Sequence, residues 1–201
     1  MKIGVIIVCC NTPGIITRAV QSIVDSVDEV LIIDNSDKNN SCFDECNKLD
    51  ELYSNVKVDH VRKNIGHGPG LNRGIKEIDT DIIICMDSDA YIIDSSIIAE
   101  MKAELNPCVY GSGKVTKEKE TKGKNFDYLN PYFCMFRKKT FLENMPFFHG
   151  GMPFKPTMIS IKNKLKVVNV ESIKTKVIHE EMATRKVVKN WRLSFGGRKG
   201  I

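Results

Sequence analysis

Four short apolar runs divide the first ninety residues. Ile3 to Val8 is a continuous β-branched run broken only by Gly4, and Glu29 to Ile33 is apolar after its first residue. Runs without polar alternation suit strands buried on both faces. Val56 to Val61 alternates and predicts a third strand, and Asp81 to Asp87 predicts a fourth. Ile16, Val20, Ile23 and Val27 recur at helical spacing, predicting an amphipathic helix over 13–27 with Thr12 as its cap and Pro13 in its first turn. The polar stretch 35–50 predicts a loop and then a short helix. Glycines punctuate 66–74, where a further helix opens and runs to Ile78. Strands of this kind alternating with helices predict an α/β sandwich around a largely parallel sheet. In such sheets ligands gather at the carboxyl ends of the strands.

The second half is less regular. Ile97 to Leu105 reads as helix, Val109-Tyr110 as the start of a short strand, and 111–125 as a surface loop of glycine, lysine and glutamate with little to bury. A strand over Tyr132–Phe136, helices near 138–143 and over Lys155–Lys162, and a strand over Leu165–Val170 follow. Val177-Ile178 then leads into His179.

Composition narrows the class. With 201 residues, 42% hydrophobic and 27% charged, the chain suits one soluble domain plus a tail. Its seven cysteines, at 9, 10, 42, 46, 85, 108 and 134, are odd in number and scattered, which suits a reducing compartment. Cys9 and Cys85 read as core thiols. Cys42 and Cys46 are four apart, but no Cys/His pair follows at zinc spacing, which argues against a zinc site. Neither a signal peptide nor an 18-residue apolar run is evident, so the expected location is the cytoplasm or the cytoplasmic face of a membrane. The net charge of +5 concentrates in 114–124 and in Arg185 to Lys199. It fits anionic ligands or an anionic membrane and does not by itself indicate nucleic acid. Trp191, in the basic tail, offers a peripheral membrane contact, a cover for the site, or packing of a last helix.

The predicted strand ends carry the chemistry: Cys9-Cys10-Asn11-Thr12, Asp34-Asn35, Arg62-Lys63-Asn64 and Asp87-Ser88-Asp89. Two carboxylates one residue apart at the end of a buried strand repel each other and resist ionisation without a cation. A hard divalent ion satisfies them; a turn with a helix cap is the alternative. Asn64 to Gly74 offers glycines that let backbone N–H groups approach an anion at a helix start. Its spacing is neither that of a dinucleotide loop nor that of a P-loop, and a flexible turn is the other reading. Arg62, Lys63 and Arg73 add positive charge nearby or are surface cations.

Taken in order, these pieces resemble the family 2 glycosyltransferases of the GT-A fold. They are a first strand ending near Asn11, Asp34 at the second, Asn-x-Gly-x-Gly-x-Gly-x-Asn-x-Gly-Ile over 64–75, and a strand into Asp87-Ser88-Asp89-Ala90. The resemblance is good over 3–92 and loose beyond. It implies a three-layer α/β/α sandwich around a mostly parallel, Rossmann-like sheet. The domain would span 1–185, with a nucleotide-sugar half (1–92), an acceptor half (93–185) and a basic tail or linker (186–201). It implies that Asn11 and Thr12 line a nucleotide pocket and that Asp34 accepts a hydrogen bond from the base, typically uracil. Asn64, Gly66 and Asn72 would contact the nucleoside, with Arg73 and Ser88 also on the donor side. Asp87 would face ribose or metal. Asp89 would hold the metal on the donor diphosphate, which gives it a catalytic part. A late histidine, here His179, would join the metal and favour Mn²⁺ over Mg²⁺. The implied reaction moves a hexose from a nucleotide sugar, typically a UDP-sugar, to a hydroxyl of a glycan, glycolipid or glycoprotein, with inversion. The metal eases departure of the diphosphate as a Lewis acid.

The chain departs from the family pattern where an acidic pair usually supplies the base. No acid occurs between Glu143 and Glu171. His149 is then either the base for the acceptor hydroxyl or a structural histidine, and Glu180 and Glu181 are alternative bases. His60 reads as structural, and His67 as a loop residue, with contact to phosphate as its alternative. Tyr132 and Phe133 either stack on sugar or pack in the core. Three rivals remain. A sugar-nucleotide nucleotidyltransferase needs a Gly-x-Gly-Thr-Arg type of loop after the first strand, which 9–13 is not. The others are a non-catalytic nucleotide- or glycan-binding domain and a nucleic-acid binder marked by steep salt dependence.

Overall fold

Nine strands, seven α-helices and one 3-10 turn (Val24–Ser26) account for the regular structure of the residues described, which are 1–36, 41–120, 123–148 and 151–180 of a computed structural model. The strands are β1 (Ile3–Cys9), β2 (Glu29–Asp34), β3 (Val56–His60), β4 (Ile82–Asp87), β5 (Ala90–Ile92), β6 (Val109–Lys119), β7 (Asn125–Arg137), β8 (Lys166–Asn169) and β9 (Val177–His179). The helices are α1 (Ile15–Ile23), α2 (Ser41–Leu52), α3 (His67–Glu77), α4 (Ser96–Ala103), α5 (Lys138–Leu142), α6 (Lys155–Ile161) and α7 (Ile173–Lys176).

Seven strands make one sheet in the order β3-β2-β1-β4-β7-β6-β8. β7 alone runs against its neighbours β4 and β6; the other ladders are parallel. Every residue of β1 is buried, as its uninterrupted apolar run requires. Alternate residues feed two cores. Val5, Ile7 and Cys9 join α1, α2, α4 and α7 on one face, while Ile6 and Val8 join α3, α5 and α6 on the other. The architecture is thus the expected three-layer sandwich. β1 pairs Cys9 with Asp34 of β2 and Val8 with Asp87 of β4, so register brings the polar strand ends level along one rim.

Three local expectations fail, each for a physical reason. Thr12 does not cap α1: the helix starts at Ile15 behind Gly14, whose φ is 76°, and Thr12 is fully buried. Over its described residues, the segment 111–125 is not a loop. Most of it is β6, which pairs with the apolar residues Phe126, Tyr128 and Leu129 of β7. One face of an antiparallel hairpin can stay in water, so Lys117 and Lys119 belong in a strand. The glycines of α3 do not form an open cradle. A Cβ on Gly74 would lie 2.7 Å from Ile6 Cγ2, and one on Gly70 3.0 Å from Val8 Cγ1. Those glycines let the helix lie close against the sheet.

Among the described residues, no helix is long and apolar enough to cross a membrane.

Candidate functional site

β4 ends by delivering Asp87 to the rim, and the turn to β5 brings Asp89 beside it. The third member comes from 90 residues further on. β5 and β9 form a two-stranded antiparallel ribbon in which Ala90 faces His179, and Glu180 N–H donates to Asp89 O at 2.9 Å. His179 Nε2 consequently lies 3.3 Å from Asp89 Oδ1 and 3.6 Å from Asp87 Oδ2. One ligand atom from each of the three falls within 4.8 Å of the others. Adjacent ligands of an octahedral divalent ion are about 3 Å apart, so the set fits such an ion with little adjustment. Two carboxylates and an imidazole suit manganese chemistry.

Neighbouring side chains fix this set. Tyr132 stacks on the His179 ring with centroids 4.4 Å apart and planes within 3°. A bulge places Tyr132 there: β7 has four residues between Leu129 and Cys134 where β6 has one between Gly113 and Val115. Pro131 sits in that bulge, where a missing ladder donor is tolerated. His67, in the first turn of α3, brings Nε2 to 3.2 Å from Asp87 Oδ1, close enough for charge attraction but without hydrogen-bond geometry. Burial pushes the Asp87 carboxyl up, but the charges of His67 and then His179 outweigh it and hold Asp87 below the usual aspartate range.

Beside this cluster, the ends of β1, β2 and β3 enclose buried polar atoms without partners among the described residues. They are Asn11 Oδ1, Thr12 Oγ1, Asn35 Oδ1 and Asn64 Nδ2. Asn11 holds a left-handed backbone (φ 55°), and its N–H donates to Ser36 Oγ at 2.9 Å. Asn64 Oδ1 accepts from the N–H of Gly66, whose carbonyl accepts from Asn35 Nδ2. Unpaired buried polar groups are costly, and a nucleoside offers the donors and acceptors they lack.

Other expected site residues are committed elsewhere. Asp34 is buried with both oxygens engaged: Oδ1 accepts from Ser36 N–H at 2.9 Å and Oδ2 lies 2.8 Å from His60 Nδ1. His60 is structural as expected, since its Nε2 meets Asn47 Oδ1 at 2.9 Å and its ring stacks on Phe43. Asn72 spends its whole amide on Phe147, accepting from N–H at 2.9 Å and donating to the carbonyl at 2.7 Å. Arg73 pairs with Asp59 and Glu77 and is not brought to the cluster. Ser88 is buried between the two aspartates. Glu180 is held by Arg18 at 2.6 Å, and Arg18 lies over the Tyr91 ring. His149, Glu181, Trp191 and the tail 186–201 lie outside the described residues.

His67 and Tyr132 are the site residues that sequence reading assigned elsewhere. The ninety-residue return of β9 gives no local sequence signal. An open hollow of about 530 Å³, lined by Met1, Thr80, Asp81 and Arg137, lies at the opposite end of β4 and gathers no such cluster.

Residues 4–155 match the family described as Glycosyl transferase family 2. No curated protein matches the chain by sequence. Solved structures do match in fold. A mannosyltransferase from Pyrobaculum calidifontis, in complex with GDP-Man and Mn²⁺, superposes with a TM-score of 0.69 at 14% identity, covering 84% of this chain and 54% of that one. TarS 1-349 of S. aureus, in complex with UDP-GlcNAc, gives 0.61 at 18% identity over 84% and 56%. GalNAc-T7 with UDP, GalNAc and Mn²⁺ gives 0.59 at 16% identity over 89% and 43%. The chain therefore spans about half the length of these structures.

Proposed function

The chain belongs to glycosyl transferase family 2 and has the GT-A fold, and on that premise we propose that it transfers a hexose from a UDP-sugar to an acceptor hydroxyl with inversion. The observation that carries this reading is the convergence of Asp87, Asp89 and His179 beside a pocket of unpartnered polar atoms. Those three residues would hold Mn²⁺, or Mg²⁺, on the donor diphosphate. The ion would supply Lewis-acid stabilisation of the charge left on the departing nucleoside diphosphate.

The remaining roles fall to the chain itself. Asn11, Thr12, Asn35 and Asn64 bind the nucleoside through polar atoms that lack partners among the described residues. Asp34 supports that pocket from beneath, through Ser36, which in turn holds the Asn11 backbone. Tyr132 and His67 orient His179 and Asp87. The base that takes the acceptor proton is assigned to His149, because no acid occurs between Glu143 and Glu171. The domain boundary at 185 and the membrane-facing tail remain part of the proposal.

A thermal-shift panel of UDP-, GDP- and CMP-sugars with and without Mn²⁺, followed by product analysis with the best binder, tests the reading. At a hundredfold excess over Kd a ligand adds about 2.7 kcal/mol. That corresponds to roughly 5–11 °C for a domain of this size. A UDP-sugar that stabilises only with Mn²⁺ and yields free UDP on adding an acceptor supports it. Equal, metal-independent stabilisation without turnover would mark a non-catalytic binding domain instead.

A further inference from the structure

On the helical side of the same rim, Cys9 at the end of β1 meets Cys42 and Cys46 of α2. All three are wholly buried, at 1%, 0% and 0% exposure. Cys9 Sγ lies 3.8 Å from Cys46 Sγ and 3.7 Å from Cys42 Sγ, and the three sulfurs all fall within 4.8 Å of one another. A tetrahedral zinc ion with Zn–S bonds of about 2.3 Å holds its sulfurs about 3.8 Å apart. The cluster therefore has the edge length of a thiolate zinc site. Asp34 Oδ1 accepts from Cys9 Sγ at 3.7 Å and lies outside the trio of mutually close sulfurs, so it borders the cluster as an outer-shell acceptor.

We propose that Cys9, Cys42 and Cys46 form a thiolate structural zinc site, bordered by Asp34 and separate from the Asp87–Asp89–His179 cluster. The surrounding groups match what a ligand shell needs. Asp34, oriented by His60 and through it by Asn47, supports the Cys9 sulfur as outer-shell groups support a metal-bound thiolate. Cys42 and Cys46 are one turn apart and share a face of α2. Cys42 lies in the first turn of α2, where the helix dipole favours a thiolate. Binding of the metal would release the thiol protons.

The site would tie the end of β1 to α2 and, through Asp34, to the end of β2. Those are the elements that carry Asn11, Thr12 and Asn35. Zinc would thus brace the nucleoside pocket without touching the ligand. The sequence conceals it because the third cysteine lies 33 residues before Cys42 on a different element.

The full chain, expressed with zinc and purified without chelator or exogenous thiol, is assayed for bound metal. The zinc is then exchanged for Co²⁺ and the optical spectrum recorded. The expected result is about one zinc per chain. The cobalt form should show an intense thiolate-to-cobalt charge-transfer band and the strong visible bands of a tetrahedral ion. Asp89→Ala and Cys108→Ser should keep both signals. Cys46→Ser should weaken retention by more than the roughly 10–100-fold typical of an outer-shell change. The wild-type readings stand even if Cys46→Ser fails to fold. Wild-type protein with no zinc above background and no charge-transfer band overturns the proposal. So does a disulfide between any two of the three cysteines in the folded, metal-treated protein. Loss of the cobalt bands in Asp89→Ala would place the metal at the acidic cluster and overturn it equally.

Discussion

Replacing Gly68 with alanine should destabilise the protein, although alanine is the better helix former. Gly68 is in the first turn of α3, and a Cβ there would sit 2.1 Å from the Phe148 carbonyl oxygen and 2.8 Å from its carbon. Contacts under 3.0 Å do not persist, and the obstacle is backbone rather than a flexible side chain, so the strand of chain at 147–148 must retreat by roughly 1 Å. That movement pulls on both hydrogen bonds between Asn72 and Phe147, and Phe147 is stacked on Phe154 at 3.7 Å. Overpacking costs about 1–3 kcal/mol. Losing the two hydrogen bonds adds about 1 kcal/mol each. The helix gains back only about 0.5–1 kcal/mol from alanine. The net is a loss of about 2–4.5 kcal/mol, or roughly 4–18 °C in Tm. Urea and thermal unfolding of Gly68→Ala measure it, with Gly151→Ala, whose Cβ would meet nothing within 4 Å, as the neutral control. A Gly68→Ala protein as stable as wild type, or more so, would refute the close approach of α3 to residue 148.

Tyr132→Leu should keep the fold but lower Mn²⁺ affinity about 10–100-fold by freeing the His179 ring; titration of manganese by electron paramagnetic resonance checks it, and unchanged affinity would remove Tyr132 from the site. Arg73→Ala should leave UDP affinity within about twofold and cost under about 1 kcal/mol of stability, because its partners Asp59 and Glu77 are surface acids; a large affinity loss by calorimetry would restore it to the donor pocket. The depressed Asp87 carboxyl sets a pH dependence in metal-free protein. Its stabilisation over Asp87→Asn is complete above the unfolded aspartate value, about 3.9, and is lost as pH falls through the lower folded value. Urea midpoints of the two proteins should differ at about pH 5 and converge toward about pH 2, whereas a constant gap would contradict the His67 and His179 pairing.

Most of the donor half was legible because its signals are local. The uninterrupted run Ile3–Val8 could only be a two-sided strand, and Asp87-Ser88-Asp89 stands where such a strand must end. The glycines of 66–74 were located correctly, but neither reading given them, an anion site or a flexible turn, named the close packing of Gly70 and Gly74 on the sheet. A sequence does not say whether a missing Cβ makes room for a ligand or for Ile6 and Val8. Residues 114–119 looked like a loop because the apolar side of the hairpin is supplied by Phe126 and Tyr128 on the partner strand. His179 was identified from the resemblance, whereas the Tyr132 stack and the approach of His67 depend on a bulge and a helix start that have no one-dimensional signature. The cysteine cluster was discounted for the same reason: spacing rules see neighbours along the chain, and Cys9 reaches α2 across the sheet.

The central claim is that Asp89, with Asp87 and His179, holds a divalent ion that binds the donor diphosphate. Isothermal titration of UDP into wild type and Asp89→Ala, each with Mn²⁺ and with chelator, tests it most directly. Wild type should bind UDP with Mn²⁺ and lose at least about tenfold in affinity, 1.4 kcal/mol or more, on chelation. Asp89→Ala should bind weakly and equally under both conditions. An Asp89→Ala protein that keeps full manganese-dependent affinity for UDP would contradict the claim.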